Sequence, residues 1–285
     1  MQHWFALGVL ALKVSIPLQV FAIGLGAGWR DAVYLFRRHR LLAYSVLARN
    51  LAVPVIAILL IKTFPFHIAV AITLGLLAVT PVPPLLPRSQ IKAGAHSSYV
   101  LGLLVSQSLL AIVLVPVTIE LMDWALVAKA HFSAVRVAVL IAETILIPLA
   151  AGMLASMVAP KLQGFAPQIL IAGTALLIAG AMPLLFLGWT AFRALAGSGA
   201  ILAIVIFIVA GTAAGHFLGG PRPADRTALA LATPARHPGL AVAIAEANYP
   251  EHARLVAGAV VIYLVLRVLL SFLYIRWRHP AGKQA

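Results

Sequence analysis

Residues 227–247, TALALATPARHPGLAVAIAEA, form an apolar segment that is interrupted at its centre by two prolines. A second segment of this kind, residues 74–92, LGLLAVTPVPPLLPRSQIK, lies in the first half of the chain. Proline has no amide hydrogen and blocks the carbonyl four residues earlier, so a helix through either segment must break in its middle. Inside a bilayer the freed backbone groups need other protein, an ion or a substrate as partners. The two breaks therefore predict a binding site.

The composition indicates a membrane protein. Hydrophobic residues make up 63% of the 285 residues, charged residues make up 10%, and the mean hydropathy is +1.05. A water-soluble domain does not combine so much apolar surface with so few charges. Because the chain has no cysteine, disulfides, thiolate metal sites and thiol nucleophiles are excluded. We expect an all-α membrane protein.

Apolar runs of about 20 residues, the length that crosses a bilayer, predict nine transmembrane spans. They are residues 5–26, 41–61, 66–95 (broken), 97–122, 133–158, 165–187, 200–218, 227–247 (broken) and 253–275. Four spans precede the polar stretch 123–132 and five follow it. An offset of five spans aligns the two broken ones and inverts the second unit, as in many secondary transporters. We therefore predict one domain, residues 1–285, with inverted repeats at 1–124 and 130–280.

The net charge of +14 is better explained by membrane topology than by nucleic-acid binding. Most Lys and Arg residues lie in loops on one face of the predicted bundle, and such residues are enriched on the cytoplasmic side. We predict an outside N-terminus, a cytoplasmic C-terminus and a location in a bacterial inner membrane. The expected partners are the lipid bilayer and a small-molecule substrate, and the sequence leaves the oligomeric state open.

Residues 225–250, DRTALALATPARHPGLAVAIAEANYP, resemble the ninth-helix region of the bile acid:sodium symporter family. Residues 24–60, GLGAGWRDAVYLFRRHRLLAYSVLARNLAVPVIAILL, resemble the second and third helices of that family, including the proline at position 54. The resemblance covers nearly the whole chain and is strongest at residues 239–241. It implies a panel domain and a core domain, with two unwound helices that cross in the core.

The sodium ligands of that family fall on unsuitable residues in this chain. The family's crossing helix has roughly the pattern Glu-Thr-Gly-x-Gln-Asn-Ser-Gly-Leu-Ala, whose Glu, Gln and Asn fall on Ala232, Arg236 and His237. The glutamine of the family's third helix falls on Arg49. Sodium needs oxygen ligands, and a permanently charged arginine repels a cation in a poorly solvated cavity. The resemblance therefore predicts that guanidinium groups take the place of the coupling cation, so that transport is independent of sodium.

Ionisable groups within spans are costly, and each needs a partner or a purpose. Arg49 lies about 12 Å from the inner end of its span at 1.5 Å per residue, which leaves open a functional role or a structural bond to backbone carbonyls. Arg236 lies at the second break, between Pro234 and Pro238. His237 can titrate near neutral pH, but the adjacent arginine disfavours its charged form. We predict a neutral, hydrogen-bonding histidine.

Further candidates for the crossing or the substrate site come from the first break and the span after it. These candidates are Pro81, Pro84, Arg88, Ser106 and Ser108. Arg88 is either a substrate contact or a positive residue at the inner end of a half-helix, and the serines either bind substrate or join helices. Positive side chains and the N-termini of half-helices favour anions. We therefore expect a small organic anion, a carboxylate or sulfonate, as the substrate.

Two further features concern helix packing. Lys13 and Glu143 have opposite charges at depths that agree within about 3 Å, and the family fold places both of their helices in the panel domain. We predict a structural ion pair between them. The motif GTAAG, residues 211–215, is typical of a small-residue face that packs closely on another helix.

The sequence has no phosphate-binding glycine loop, no zinc-binding histidine pair and no pair of intramembrane aspartates. We therefore predict a transporter, with no enzyme activity, no cofactor and no metal, that works by alternating access of the panel against the core. Two alternatives stay open. One is a sodium-coupled symporter with ion ligands elsewhere in the chain, and the other is a membrane sensor that binds its ligand without transport.

Overall fold

The computed structural model describes residues 2–27, 33–80, 83, 90–91, 93–126, 135, 139, 142–195 and 199–278. In this part of the chain the regular structure is entirely helical, as the composition predicts. The helices are α1 Gln2–Gly26, α2 His39–Val46, α3 Val53–Thr63, α4 Ile68–Val79, α5 Ser97–Leu126, α6 Ile147–Val158, α7 Ala166–Leu195, α8 Ala200–Leu218, α9 Pro223–Ala232, α10 Pro238–Asn248 and α11 Ala253–Arg278. A 3-10 turn, Pro160–Phe165, precedes α7.

Two wider π-helical turns, Leu47–Ala52 and Ala142–Leu146, lie directly before α3 and α6. The second residue of each following helix is a proline, Pro54 or Pro148. Because proline donates no hydrogen bond to the preceding turn, that turn loses a partner of its regular α-helical ladder and widens. The first π-helical turn contains Arg49, one of the predicted site residues.

Helix α5 is bent, whereas the apolar run at residues 97–122 predicts one uninterrupted span. Its parts Ser97–Ala111 and Val113–Glu120 meet at an angle of 60°. Pro116 lies inside the helix, and its ring opposes the carbonyl four residues earlier, at position 112, where the bend occurs. The bend therefore follows from the same proline rule that breaks the two crossing segments.

The described helices pack in two groups. Helices α6 and α7 both pack on α1, and α2 to α5 with α8 to α11 form the larger group. Small residues allow the close approach within the first group, since a Cβ at Gly152 of α6 would lie 2.8 Å from the amide nitrogen of Leu25 in α1. Contacts of α7 with α11 and of α1 with α10 join the groups.

Four helical stretches in the described residues are long and apolar enough to cross a membrane. They are His39–Thr63, Pro160–Gly180, Ala200–Leu218 and Ala253–Arg278, and bent α5 makes a fifth if its parts are counted together. Helices α4 and α9 have 12 and 10 residues, or about 18 and 15 Å, half of a bilayer core of about 30 Å. The chain is a multi-pass membrane protein, and nine spans in inverted repeats stay a prediction.

Candidate functional site

The candidate site is the break between α9 and α10. Helix α9 ends at Ala232, α10 begins at Pro238, and the intervening residues 233–237 are buried without regular helix. Helix α4 ends nearby at Val79, with Thr80 extended, and α4, α10 and α11 pack on one another. Pro81, Pro84 and Arg88 of the first break lie outside the described residues.

Arg49 reaches from the π-helical turn to the end of α9, and only 1% of it is exposed. Its guanidinium donates hydrogen bonds from Nη1 to the Ala232 carbonyl and from Nη2 to the Ala235 carbonyl, the latter over 3.2 Å. The last carbonyls of a helix lack partners within the helix and carry partial negative charge. The Arg49 guanidinium therefore supplies hydrogen-bond donors to these carbonyls and a positive charge beside the negative end of α9.

Arg236 makes the corresponding contacts at the end of α4, and it is also 1% exposed. Its Nη1 donates to the carbonyls of Ala78 and Thr80 at 3.3 and 3.1 Å, and its Nη2 donates to the Arg49 carbonyl at 2.6 Å. Pro54 has no amide hydrogen to donate to the turn containing Arg49, and the Arg236 guanidinium supplies an additional donor to the Arg49 carbonyl. The two arginines are thus linked through one carbonyl.

Backbone oxygens, rather than carboxylates, surround both guanidinium groups in the described part of the chain. Each guanidinium also retains a buried Nε with no acceptor among the described residues. A net positive charge therefore lies inside the helix bundle.

Tyr263 of α11 holds the residues of the break in place, a role that was not predicted from the sequence. Its hydroxyl accepts a hydrogen bond from the Arg236 amide and donates one to the Pro234 carbonyl, both at 2.7 Å. The side chain is completely buried. The available signal was a hydroxyl within an otherwise aliphatic stretch of the last span.

His237 caps the N-terminus of α10 and is 3% exposed. Its Nδ1 accepts a hydrogen bond from the Leu240 amide at 3.2 Å, so the proton of the neutral ring belongs on Nε2. This Nε2 is buried and has no partner in the described residues. The ring therefore presents an unused donor beside the break.

Ser106 and Ser108 are buried in α5 and donate to carbonyls of their own helix, those of Leu103 and Leu104 at 3.4 and 2.8 Å. These are intrahelical bonds, so the hydroxyls contact no other helix through them. A role for either serine in substrate binding stays a prediction.

A small polar pocket that the sequence did not reveal lies beside the crossing. Asn50, Thr80, Gln107 and Thr118 contribute its polar side chains. Asn50 Nδ2 donates to Gln107 Oε1 at 3.1 Å, while the buried Gln107 Nε2 has no partner in the part of the chain described. The space corresponds to about one water molecule.

The GTAAG motif packs closely on another helix, as predicted, and its partner is the crossing segment, which the sequence did not indicate. A Cβ at Gly215 would lie 2.8 Å from Ala230 Cα, and one at Gly211 would lie 3.4 Å from Pro234 Cα. Because both contacts are with backbone, the glycines let α8 approach α9 and the break more closely than larger residues could.

The predicted ion pair between Lys13 and Glu143 stays a prediction. Helix α1 packs on the π-helical turn that contains Glu143, whose side chain is exposed. The side chain of Lys13 lies outside the described part of the chain.

In the described residues, no three His, Cys, Asp or Glu side chains are placed to bind a metal ion. Among curated proteins, none matches the chain. The model of the Sodium Bile acid symporter family matches residues 14–213. The match covers well over half of the chain and includes α2 to α7, the first broken segment and Arg49. The chain therefore belongs to the Sodium Bile acid symporter family, whose members are membrane transporters.

Proposed function

We propose that this protein is a secondary transporter that moves a small organic anion across a bacterial inner membrane without sodium. The helix group α1, α6 and α7 rocks against the larger group, so that the crossing is open to each side in turn. The observation that carries the proposal is the pair of buried guanidinium groups bound to the ends of α4 and α9.

The hydrogen bonds of the arginines explain why sodium is not needed. The positions on which the sequence resemblance places sodium ligands, Arg49, Ala232 and Arg236, lie together, since Arg49 contacts both of the others. Backbone oxygens that could coordinate a hard cation already accept hydrogen bonds from fixed positive groups. A sodium ion would have to displace these bonds and withstand the repulsion of both charges.

The anion preference follows from His237 and from the start of α10. The unused Nε2 donor of His237, the positive end of α10 and the two guanidinium charges all favour a negative group. This region also faces the other helix group, because a Cβ at Gly239 would lie 2.9 Å from Ile16 Cδ1 of α1. We propose that the carboxylate or sulfonate of the substrate binds at His237, between α10 and α1.

A sodium-coupled symporter with relocated ligands is the second candidate. The pocket beside the crossing supports it, because Asn50, Thr80 and Thr118 carry side-chain oxygens around a space of ionic size. The nearby Arg236, bound to the Thr80 carbonyl at 3.1 Å, argues against it through charge repulsion.

A thermal-shift screen tests the anion preference. The purified protein is heated with cholate, taurocholate, lactate or benzoate, in sodium chloride or in choline chloride, because a ligand that binds the folded state raises the melting temperature. We expect at least one anion to raise it equally in both salts. The effect should be lost in His237→Leu and kept in His39→Leu, which changes an exposed histidine at the start of α2.

Uptake of the stabilising anion into proteoliposomes then tests transport. The proposal requires uptake that is unchanged when choline replaces sodium. Uptake that requires sodium would favour the second candidate, and binding without uptake would identify a sensor instead.

A further inference from the structure

A groove of about 280 Å³ lies between α8 and α11 and is independent of the proposed substrate site. It lies on a different side of α8 from Gly211 and Gly215, which pack on the crossing segment. The groove extends from Val209 of α8 to Phe217, a rise of about 12 Å at 1.5 Å per residue. Its inner walls are mainly apolar side chains, among them Val209 and Leu270.

Aromatic side chains surround the end of the groove where α8 and α11 both terminate. The rings of His216 and Trp277 lie 5.6 Å apart, and His216 Nδ1 is 2.9 Å from the Tyr274 hydroxyl. Phe217 and Trp277 are 82% and 66% exposed. Exposed Trp with Tyr is typical of the level of lipid headgroups, so this end of the groove lies at the membrane surface.

The same end is positively charged. Arg278 is the last residue of α11, next to Trp277, and Arg226 packs on the end of α8, since a Cβ at Gly219 would lie 2.5 Å from Arg226 Cα. Arg226 donates from Nε to the Gly220 carbonyl at 2.6 Å, and Arg278 donates from Nη2 to the Pro223 carbonyl at 3.4 Å. Each of these bonds uses one nitrogen, which leaves other guanidinium donors for a phosphate.

We propose that this groove binds one anionic phospholipid, with an acyl chain between Val209 and Leu270 and the phosphate at Arg226 and Arg278. An apolar groove of this length complements a lipid chain, and the two cations complement an anionic headgroup. A neutral lipid would satisfy only the apolar part. A second copy of this protein in the groove would bury Arg226 and Arg278, and it would need an acidic surface opposite them.

Melting temperatures in detergent with added lipid test the proposal. Phosphatidylglycerol should raise the melting temperature more than phosphatidylcholine with the same chains, and glycerol phosphate, which has the phosphate without chains, should have no effect. Arg278→Ala and Ala213→Phe should remove the difference between the lipids, the first by removing a phosphate contact and the second by filling the groove.

Matched controls are Arg276→Ala, which removes another arginine from the last turn of α11, and Leu202→Phe, which enlarges an exposed residue of α8 outside the groove. Both should keep the preference for phosphatidylglycerol. Equal effects of the two lipids, or loss of the preference in the controls, would overturn the proposal.

Fluorescence provides a test that does not depend on the arginine variant. Phosphatidylglycerol with brominated chains should quench the wild type more than Trp277→Phe, and brominated phosphatidylcholine should show a smaller difference. If the two lipids quench Trp277 equally, the groove holds only bulk lipid. If Ala213→Phe instead turns a dimer into a monomer in light scattering, the groove is a subunit interface and the proposal is wrong.

Discussion

Replacement of Arg236 by methionine tests whether its guanidinium holds the crossing together. The variant keeps an unbranched apolar side chain but leaves the carbonyls of Ala78, Thr80 and Arg49 without this donor. A hydrogen bond to a charged group contributes about 1.5–3 kcal/mol, so three contribute roughly 4.5–9 kcal/mol. Relief of the buried charge returns several kcal/mol. We expect a net loss of about 3 kcal/mol.

Thermal unfolding of the purified protein in detergent measures this loss. At roughly 2–4 °C per kcal/mol, the melting temperature of Arg236→Met should fall by about 6–12 °C. The control is Arg254→Met, at an exposed position in the first turn of α11, which should stay close to the wild type. A fall for Arg236→Met no larger than that of the control would refute the idea that Arg236 stabilises the broken segments.

Three further predictions concern packing around the crossing and between helices. Tyr263→Phe removes the hydroxyl that is bonded to two residues within the break and should cost about 1–3 kcal/mol, measured as a lower melting temperature; an unchanged value would contradict this. Gly215→Val should prevent folding because its Cβ meets the backbone of α9, whereas Gly164→Val, with nothing within 4 Å, should be tolerated; equal yields of monodisperse protein would contradict this. Lys13→Ala and Glu143→Ala should each lower expression while the double variant recovers; failure to recover would rule out the ion pair.

The positions of the breaks could be predicted because the effect of proline is local. Pro234 and Pro238 interrupt the second segment where α9 ends and α10 begins. The bend of α5 follows from Pro116 by the same rule, but counting apolar residues does not reveal it. Helix α9 has only 10 residues and is too short to cross a bilayer by itself, so a broken span does not appear as one long helix.

The partners of the arginines could not be read from the sequence. Burial of a cation in a span predicts that it has a partner, but the acceptors are backbone carbonyls, which every residue possesses. Which carbonyls are free depends on where α4 and α9 end and on how they approach the π-helical turn. The role of Tyr263 depends on the same tertiary arrangement, since its partners lie 27 and 29 residues away in the chain.

Binding of radioactive sodium to the purified protein tests the central claim most directly, because it needs no knowledge of the substrate. The wild type should show no saturable sodium binding, since Arg49 and Arg236 already occupy the ends of the broken helices. The triple variant Arg49→Gln, Ala232→Glu and Arg236→Gln, which restores the family's ligand types, serves as the comparison and should gain binding. Saturable binding of about one sodium ion per wild-type molecule would contradict the account.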